Sequence, residues 1–256
     1  MLELRTVNVD RYITPLREGG SLPGIIEADD GFKYVLKFRG AGQGTKALIA
    51  DLIGAELARK AGFLVPELVF AELAEGFGRI EPDEEIQDLF KFSTGLNLGV
   101  HYLSGSITFD AVVNKIDPEM AAKIVWLDAF LMNIDRTARN TNMLFWNKEL
   151  WLIDHGAALY FHHNPESWED QALKPFVQIK DHVLLDQASD ILAVHDFMMD
   201  KIQPSFIAEL VDNIPEDWLS NDVEISKKLY LDFLGIRRSH ADTFLKEAEN
   251  ARKALV

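Results

Sequence analysis

The 256-residue chain contains no cysteine. That excludes disulfide staples, thiolate zinc sites and cysteine nucleophiles, and it fits a reducing compartment. Basic residues are scarce, with 26 Lys and Arg against 41 Asp and Glu, for a formal charge of −15. Nucleic acid and anionic membranes both demand a concentrated basic face that displaces counterions, so neither is an expected partner. Any phosphate the chain handles must be met locally, by a few cations or metal ions. Long apolar runs are missing too, the longest being about half a membrane span. The opening "MLELRTVNVDRY" lacks the basic-then-apolar pattern of a signal peptide. With no internal repeat or low-complexity linker either, the expectation is a soluble, cytoplasmic protein.

What is present is an ordinary globular composition, 48% hydrophobic, enough for one large domain or two lobes. The stretch "LREGGSLPGIIEADDGFKYVLKFRG" reads as two strands with turns at Gly19, Gly20 and Gly24 and at "ADDG". From Thr45, a candidate N-cap, "KALIADLIGAELARKAG" is helical, with Arg59 and Lys60 in its last turn and Gly62 as its stop. A strand, "ELVFAEL", follows. The remainder is helix-rich: "PDEEIQDLFKFS", then "PEMAAKIVWLDAFLMN", then an apolar periodicity beyond residue 165 that reads as scaffold. The expectation is an α+β chain with a strand-rich region over residues 1–73, a helical region over 74–256, and a small-molecule site in the cleft between them.

Chemistry concentrates in "NIDRTARNTNMLFWNKELWLIDHG". Asp135 precedes Asn140 by five positions, and "NMLFW", "NKE" and "LWLID" form a candidate hairpin that returns Asp154 beside them. Phosphoryl transfer from ATP needs one carboxylate for the attacking hydroxyl, and an amide oxygen and second carboxylate for magnesium. The spacing supplies all three. Gly156 is expected to let the backbone turn away from the metal. Earlier, strand alternation in "FKYVLKFR" puts Tyr34, Leu36 and Phe38 on one face and Val35 and Lys37 on the other. Val35 there can cover an adenine ring while Lys37 reaches phosphates. The turn at Gly19, Gly20 and Ser21 offers backbone N–H groups to the nucleotide.

"YVLKF", "ALIADLIGAELARKAGFLVPEL", "EPDEEIQDL", "GLNLG", "NIDRTARNTNML" and "LWLIDHGAALYFHH" together resemble the HipA-like kinases, bacterial serine/threonine kinases with the bilobal protein-kinase fold. The catalytic and metal motifs also resemble those of phosphatidylinositol kinases. The resemblance implies Asp135 as catalytic base, Asn140 and Asp154 as magnesium ligands, Lys37 as the phosphate-contacting lysine, and Arg139 as a charge facing the transferred phosphoryl group. It implies ATP and Mg2+ as cofactors and a protein serine or threonine as acceptor. His155 stands where protein kinases carry phenylalanine, so their aromatic-packing switch is not expected. Founding members carry a further N-terminal region that contributes to docking a DNA-binding antitoxin. This chain begins close to the strand-rich region, and the expectation is against an antitoxin partner.

Two acids compete for Lys37. Periodicity sets Glu56 within the stripe of Ile49, Leu52 and Ile53, where a charge needs a partner. Alignment through "ELARKAGFLVP" puts Asp51 at the family's acidic position, and Asp51 is preferred. Asp128, inside an apolar helix, is expected to anchor the loop through backbone or Arg136. His162 and His163 are expected on the surface, as is "RRSH". Two other functions stay open: a non-catalytic nucleotide-binding regulator, and a kinase whose acceptor is a small molecule or lipid.

Overall fold

The computed structural model describes residues 4–16, 22–79, 81–220 and 222–255. In chain order the elements are β1 (Thr6–Pro15), β2 (Gly24–Ala28), β3 (Lys33–Lys37), α1 (Gly44–Lys60), β4 (Leu68–Leu73), α2 (Glu84–Phe92), β5 (Gly95–His101) and β6 (Ile107–Thr108). Then come α3 (Pro118–Leu131), β7 (Met143–Trp146), β8 (Glu149–Leu152), α4 (Trp168–Leu173), α5 (His195–Lys201), α6 (Pro204–Asp212), α7 (Val223–Ser239) and α8 (Asp242–Lys253). Mixed α and β structure is therefore divided into a strand-rich and a helical part.

The strand-rich part is a closed barrel in the order β1-β2-β3-β5-β4. Closure is completed by parallel pairing of Thr6–Asn8 with Phe70–Glu72, which removes the open edges that strands otherwise present. Alternation fills its interior with Val7, Ile26, Tyr34, Leu36, Val69 and Ala71. Phe90 of α2 plugs it, its ring against Tyr12, Phe38 and Phe77. Val35 and Lys37 are half-buried on the opposite face of β3. The barrel runs past the expected boundary at residue 73, because β5 inserts between β3 and β4. Its run "GLNLGVH" carries two glycines and is separated from β4 by a helix, which hid it as a strand.

Helix α1 ends where basic residues and Gly62 predict, Gly62 taking the left-handed φ of +98°. Its start differs from expectation. Gln43 is the N-cap and makes no side-chain cap bond. Thr45 lies inside the first turn and its hydroxyl donates to the Trp218 carbonyl at 2.8 Å. Helix α3 is exposed over its first three residues and from Ile124 to Leu131 is buried on every side, with Asp128 its one charge there. Asp117 caps it by accepting from the Met120 N–H, and Pro118 opens its first turn. Strands β7 and β8 form the expected hairpin, turned by Asn147 and Lys148 with φ of +51° and +70°, the left-handed pair a two-residue turn requires.

Two surface expectations are corrected in the helical part. Arg237 of "RRSH" is 1% exposed and donates to the carbonyls of Ala129, Phe130 and Lys174. The first two are end-of-helix acceptors of α3, where the Ala129 carbonyl also takes the Met132 N–H at 3.4 Å. His162 is buried, its Nδ1 3.1 Å from the Tyr230 hydroxyl, while His163 is exposed. Among the described residues no helix is long and apolar enough to cross a membrane.

Candidate active site

Lys37 ends β3 with its Nζ 2.7 Å from Asp51 Oδ2 and 2.7 Å from Asp154 Oδ1. Asp51 comes from the buried face of α1. Its other oxygen accepts the His155 backbone N–H at 2.7 Å, so one carboxylate ties the barrel lysine to the chain just after β8. Glu56 does not take part. It pairs with Arg59 at 2.8 Å, and the reason is helical phase: five residues at 100° each turn it about 140° from Asp51.

Asp154 sits where the β7–β8 hairpin leaves the sheet, in a left-handed conformation with φ of +52°. Gly156 lies in a turn closed by the Ala158 N–H on the His155 carbonyl at 2.9 Å. A Cβ there would lie 2.9 Å from Asp51 Oδ2, so glycine is needed for close approach. Gly54 answers the same need from α1, where an added Cβ would meet the His155 Cβ at 2.5 Å.

The loop after α3 is held by Asp128, which is wholly buried. It accepts Asn133 Nδ2 at 2.8 Å and Arg136 Nε at 2.6 Å, and His182 Nε2 lies 2.9 Å away. Arg136 Nη1 reaches the carbonyls of Asn142 and Ile153, and Ile153 N–H donates to the Asn142 carbonyl at 3.0 Å. These bonds stitch the loop to the residue before Asp154. On that loop Asp135 Oδ2 accepts Asn140 Nδ2 at 2.6 Å and Asn142 Nδ2 at 3.4 Å. Arg139 is exposed and has no ion-pair or hydrogen-bond partner among the described residues. Val35 lies two residues before Lys37 on the same outer face of the barrel. Gly19, Gly20 and Ser21 lie outside the described residues.

Charge in this region is strongly coupled. Burial pulls the Lys37 ammonium down, but Asp154 and Asp51 outweigh it and hold its pKa above the ordinary value. Burial pushes Asp51 up to about 6 against the pull of Lys37. At Asp154, whose side chain is 45% exposed, the burial cost is outweighed by Lys37 and the pKa is lowered. Burial raises Asp135, and the charge of Asp154 adds to the rise. Asp128 runs the other way, since Arg136 and His182 outweigh its desolvation and keep it well below the carboxylate range. Burial and the neighbouring Arg136 pull His155 down to about 3, leaving it neutral.

Asn142, His182 and Gly54 were not singled out from sequence. The second asparagine of "RNTN" was the available signal for Asn142. His182 is 54 residues from Asp128 and has no local pattern. Among the described residues no three acidic, histidine or cysteine side chains are gathered as a metal cluster. The donor chemistry nonetheless suits a hard cation. Asn140 spends its amide nitrogen on Asp135 and Asp154 spends one oxygen on Lys37. Each keeps one oxygen without a partner among the described residues, the ligand type magnesium takes.

A family model described as HipA-like kinase matches residues 9–247. Among solved structures, the crystal structure of a Helicobacter pylori proinflammatory kinase, CtkA, superposes with a TM-score of 0.60 at 12% identity. That match covers 99% of this chain and 100% of the other, and at such identity it shows a shared fold alone. No curated protein sequence matches the chain.

Proposed function

The chain belongs to the HipA-like kinase family, and we propose that it is an ATP- and magnesium-dependent phosphotransferase whose acceptor is a protein serine or threonine. In this reading the fold is the bilobal protein-kinase type, with β1 to β5 as the nucleotide-binding lobe. The division then falls after His101, beyond the boundary at residue 73 read from sequence. The cleft between the lobes takes the nucleotide.

The observation that carries the reading is the position of Lys37. Its amine reaches from the barrel to Asp51 and Asp154, and Asp154 follows directly on the residue bonded to the Asp135–Asn140 loop. In the proposed reaction Asp135 accepts the hydrogen bond of the acceptor hydroxyl. The new bond forms between that oxygen and the γ-phosphorus as the bond to the β-phosphate oxygen breaks, and the acceptor proton leaves toward Asp135. Lys37 fixes the phosphates and Val35 covers the adenine. Arg139, exposed on the loop, faces the charge that develops. Asn140 and Asp154 hold magnesium, which neutralises the β- and γ-phosphates when bound.

The test is to incubate the purified protein with labelled ATP, with and without magnesium, in a cell lysate and separately in a metabolite pool. A protein band labelled only with magnesium is expected. Label confined to a small molecule would move the acceptor class. Intact ATP binding with no transfer to anything would overturn the reading.

A further inference from the structure

Trp218 lies between α6 and α7, in a region whose periodicity reads as plain scaffold, yet it contacts the strand-rich part. Its side chain is 2% exposed. The indole Nε1 donates to the Leu96 carbonyl of β5 at 2.9 Å, and the ring meets Phe70 of β4 edge-on at 5.6 Å between centroids. Its own carbonyl accepts the Thr45 hydroxyl from the first turn of α1. One residue earlier, Asp217 takes Arg39 through its carbonyl at 3.0 Å and its carboxylate at 3.5 Å. At the other end of α1, the Lys60 ammonium lies 4.8 Å over the Phe206 ring of α6. Residues 204–218 therefore grip α1 at both ends and the barrel between them.

Helix α1 needs such a grip. It brings Asp51 to Lys37, but its N-terminus has no side-chain cap and no acid in its first turn, so its own sequence does little to fix its start. We propose that Trp218 is a positioning residue, holding α1 against the barrel so that Asp51 stays on Lys37 before any nucleotide arrives. A buried indole suits the task, offering a large rigid surface and one donor that finds an acceptor. The Lys37–Asp51 pair is then preformed, and control of it runs through residues 204–218, on the outer side of α1. The bearing of these contacts on nucleotide binding rests on the function proposed above.

The test compares acetylation of Lys37 and Lys123 by a brief pulse of acetic anhydride, read by peptide mass spectrometry. The two side chains are 16% and 20% exposed, and Lys123 lies on α3, away from the grip. Trp218→Ala, which removes the ring packing as well as the hydrogen bond, is expected to raise Lys37 labelling relative to Lys123 by more than the roughly fivefold that one lost hydrogen bond gives an opening equilibrium. Thr45→Val and Trp218→Phe, each removing one bond and keeping the bulk, should move the ratio the same way by less. They carry the test if Trp218→Ala does not fold. Magnesium-ATP affinity should weaken in the same order. A ratio unchanged in both mild variants would overturn the proposal, even if Trp218→Ala melts earlier, for Trp218 would then serve packing alone. If the wild type binds no ATP, the function proposed above fails while the Lys37 ratio still decides this one.

Discussion

Replacing Gly54 by alanine separates helix propensity from the geometry of the site. In an open helix position the change gains about 1 kcal/mol, since glycine is the poorer helix former by that amount. Gly54 is not open. An added Cβ would lie 2.5 Å from the His155 Cβ and 2.8 Å from its Cγ, closer than carbon atoms approach, and overpacking of this kind costs about 1–3 kcal/mol. Their sum runs from no change to a loss of about 2 kcal/mol, but the steric effect acts in one direction. It pushes α1 away from His155, and Asp51, three residues earlier on α1, moves with it. A shift of about 1 Å in a positioning group is worth about a hundredfold in rate. The control is Gly235→Ala in α7, exposed and with nothing within 4 Å of its added Cβ. The assay is a melting curve with magnesium-dependent phosphoryl transfer on the same preparations. Gly235→Ala should raise the melting temperature by about 2–4 °C and leave activity alone. Gly54→Ala should melt no higher than the wild type and lose most activity, with His155→Gly, which removes the Cβ it would meet, restoring part of it in the double variant. Gly54→Ala that is both more stable and fully active would refute the close-approach argument.

Asp135→Asn is expected to bind ATP normally and lose transfer, as nucleotide titration followed by labelling will read; unchanged turnover removes Asp135 from its role. Asp154→Ala should weaken nucleotide binding in magnesium far more than in chelator, because it deletes a proposed ligand oxygen. Asp128→Asn leaves the Arg136 guanidinium buried without its carboxylate, and denaturant melts should show a loss of about 3–5 kcal/mol. His162 supplies a pH signature. Burial pulls it down to about 3, so between that value and its unfolded pKa only the unfolded chain takes up the proton. Stability therefore falls with pH below about 6.5, by about 1.4 kcal/mol per unit. His162→Asn, which still offers an acceptor to Tyr230, should flatten the curve by one proton over pH 4–6, and the difference between the two proteins cancels the other titrations.

Local features of the chain were readable wherever a short-range rule governs them. Alternation alone put Val35 and Lys37 on the face of β3 opposite Tyr34 and Leu36. The hairpin that returns Asp154 follows from two apolar runs around "NK". Asp128 in an apolar helix demanded a buried partner, and Arg136 eight positions on is that partner. Non-local features were not readable. Strand β5 pairs with β3 and β4, which lie on either side of α1, and its glycines disguise it. Arg237 and His162 look like surface residues until the carbonyls of α3 and the Tyr230 hydroxyl are brought against them.

By itself the sequence determined which chemical groups are available and at what local spacing, because strand alternation, turn chemistry and helix caps act over a few residues. It settled the family resemblance and the absence of thiol chemistry for the same reason. The choice of Asp51 over Glu56, the tight fit of Gly54 and Gly156 around His155 and Asp51, and the grip of Trp218 on α1 were decided only by tertiary structure. Each depends on which way a helix is rolled when it packs. That roll is set by the barrel on one side and the helices on the other, whose contacts join residues far apart in the chain.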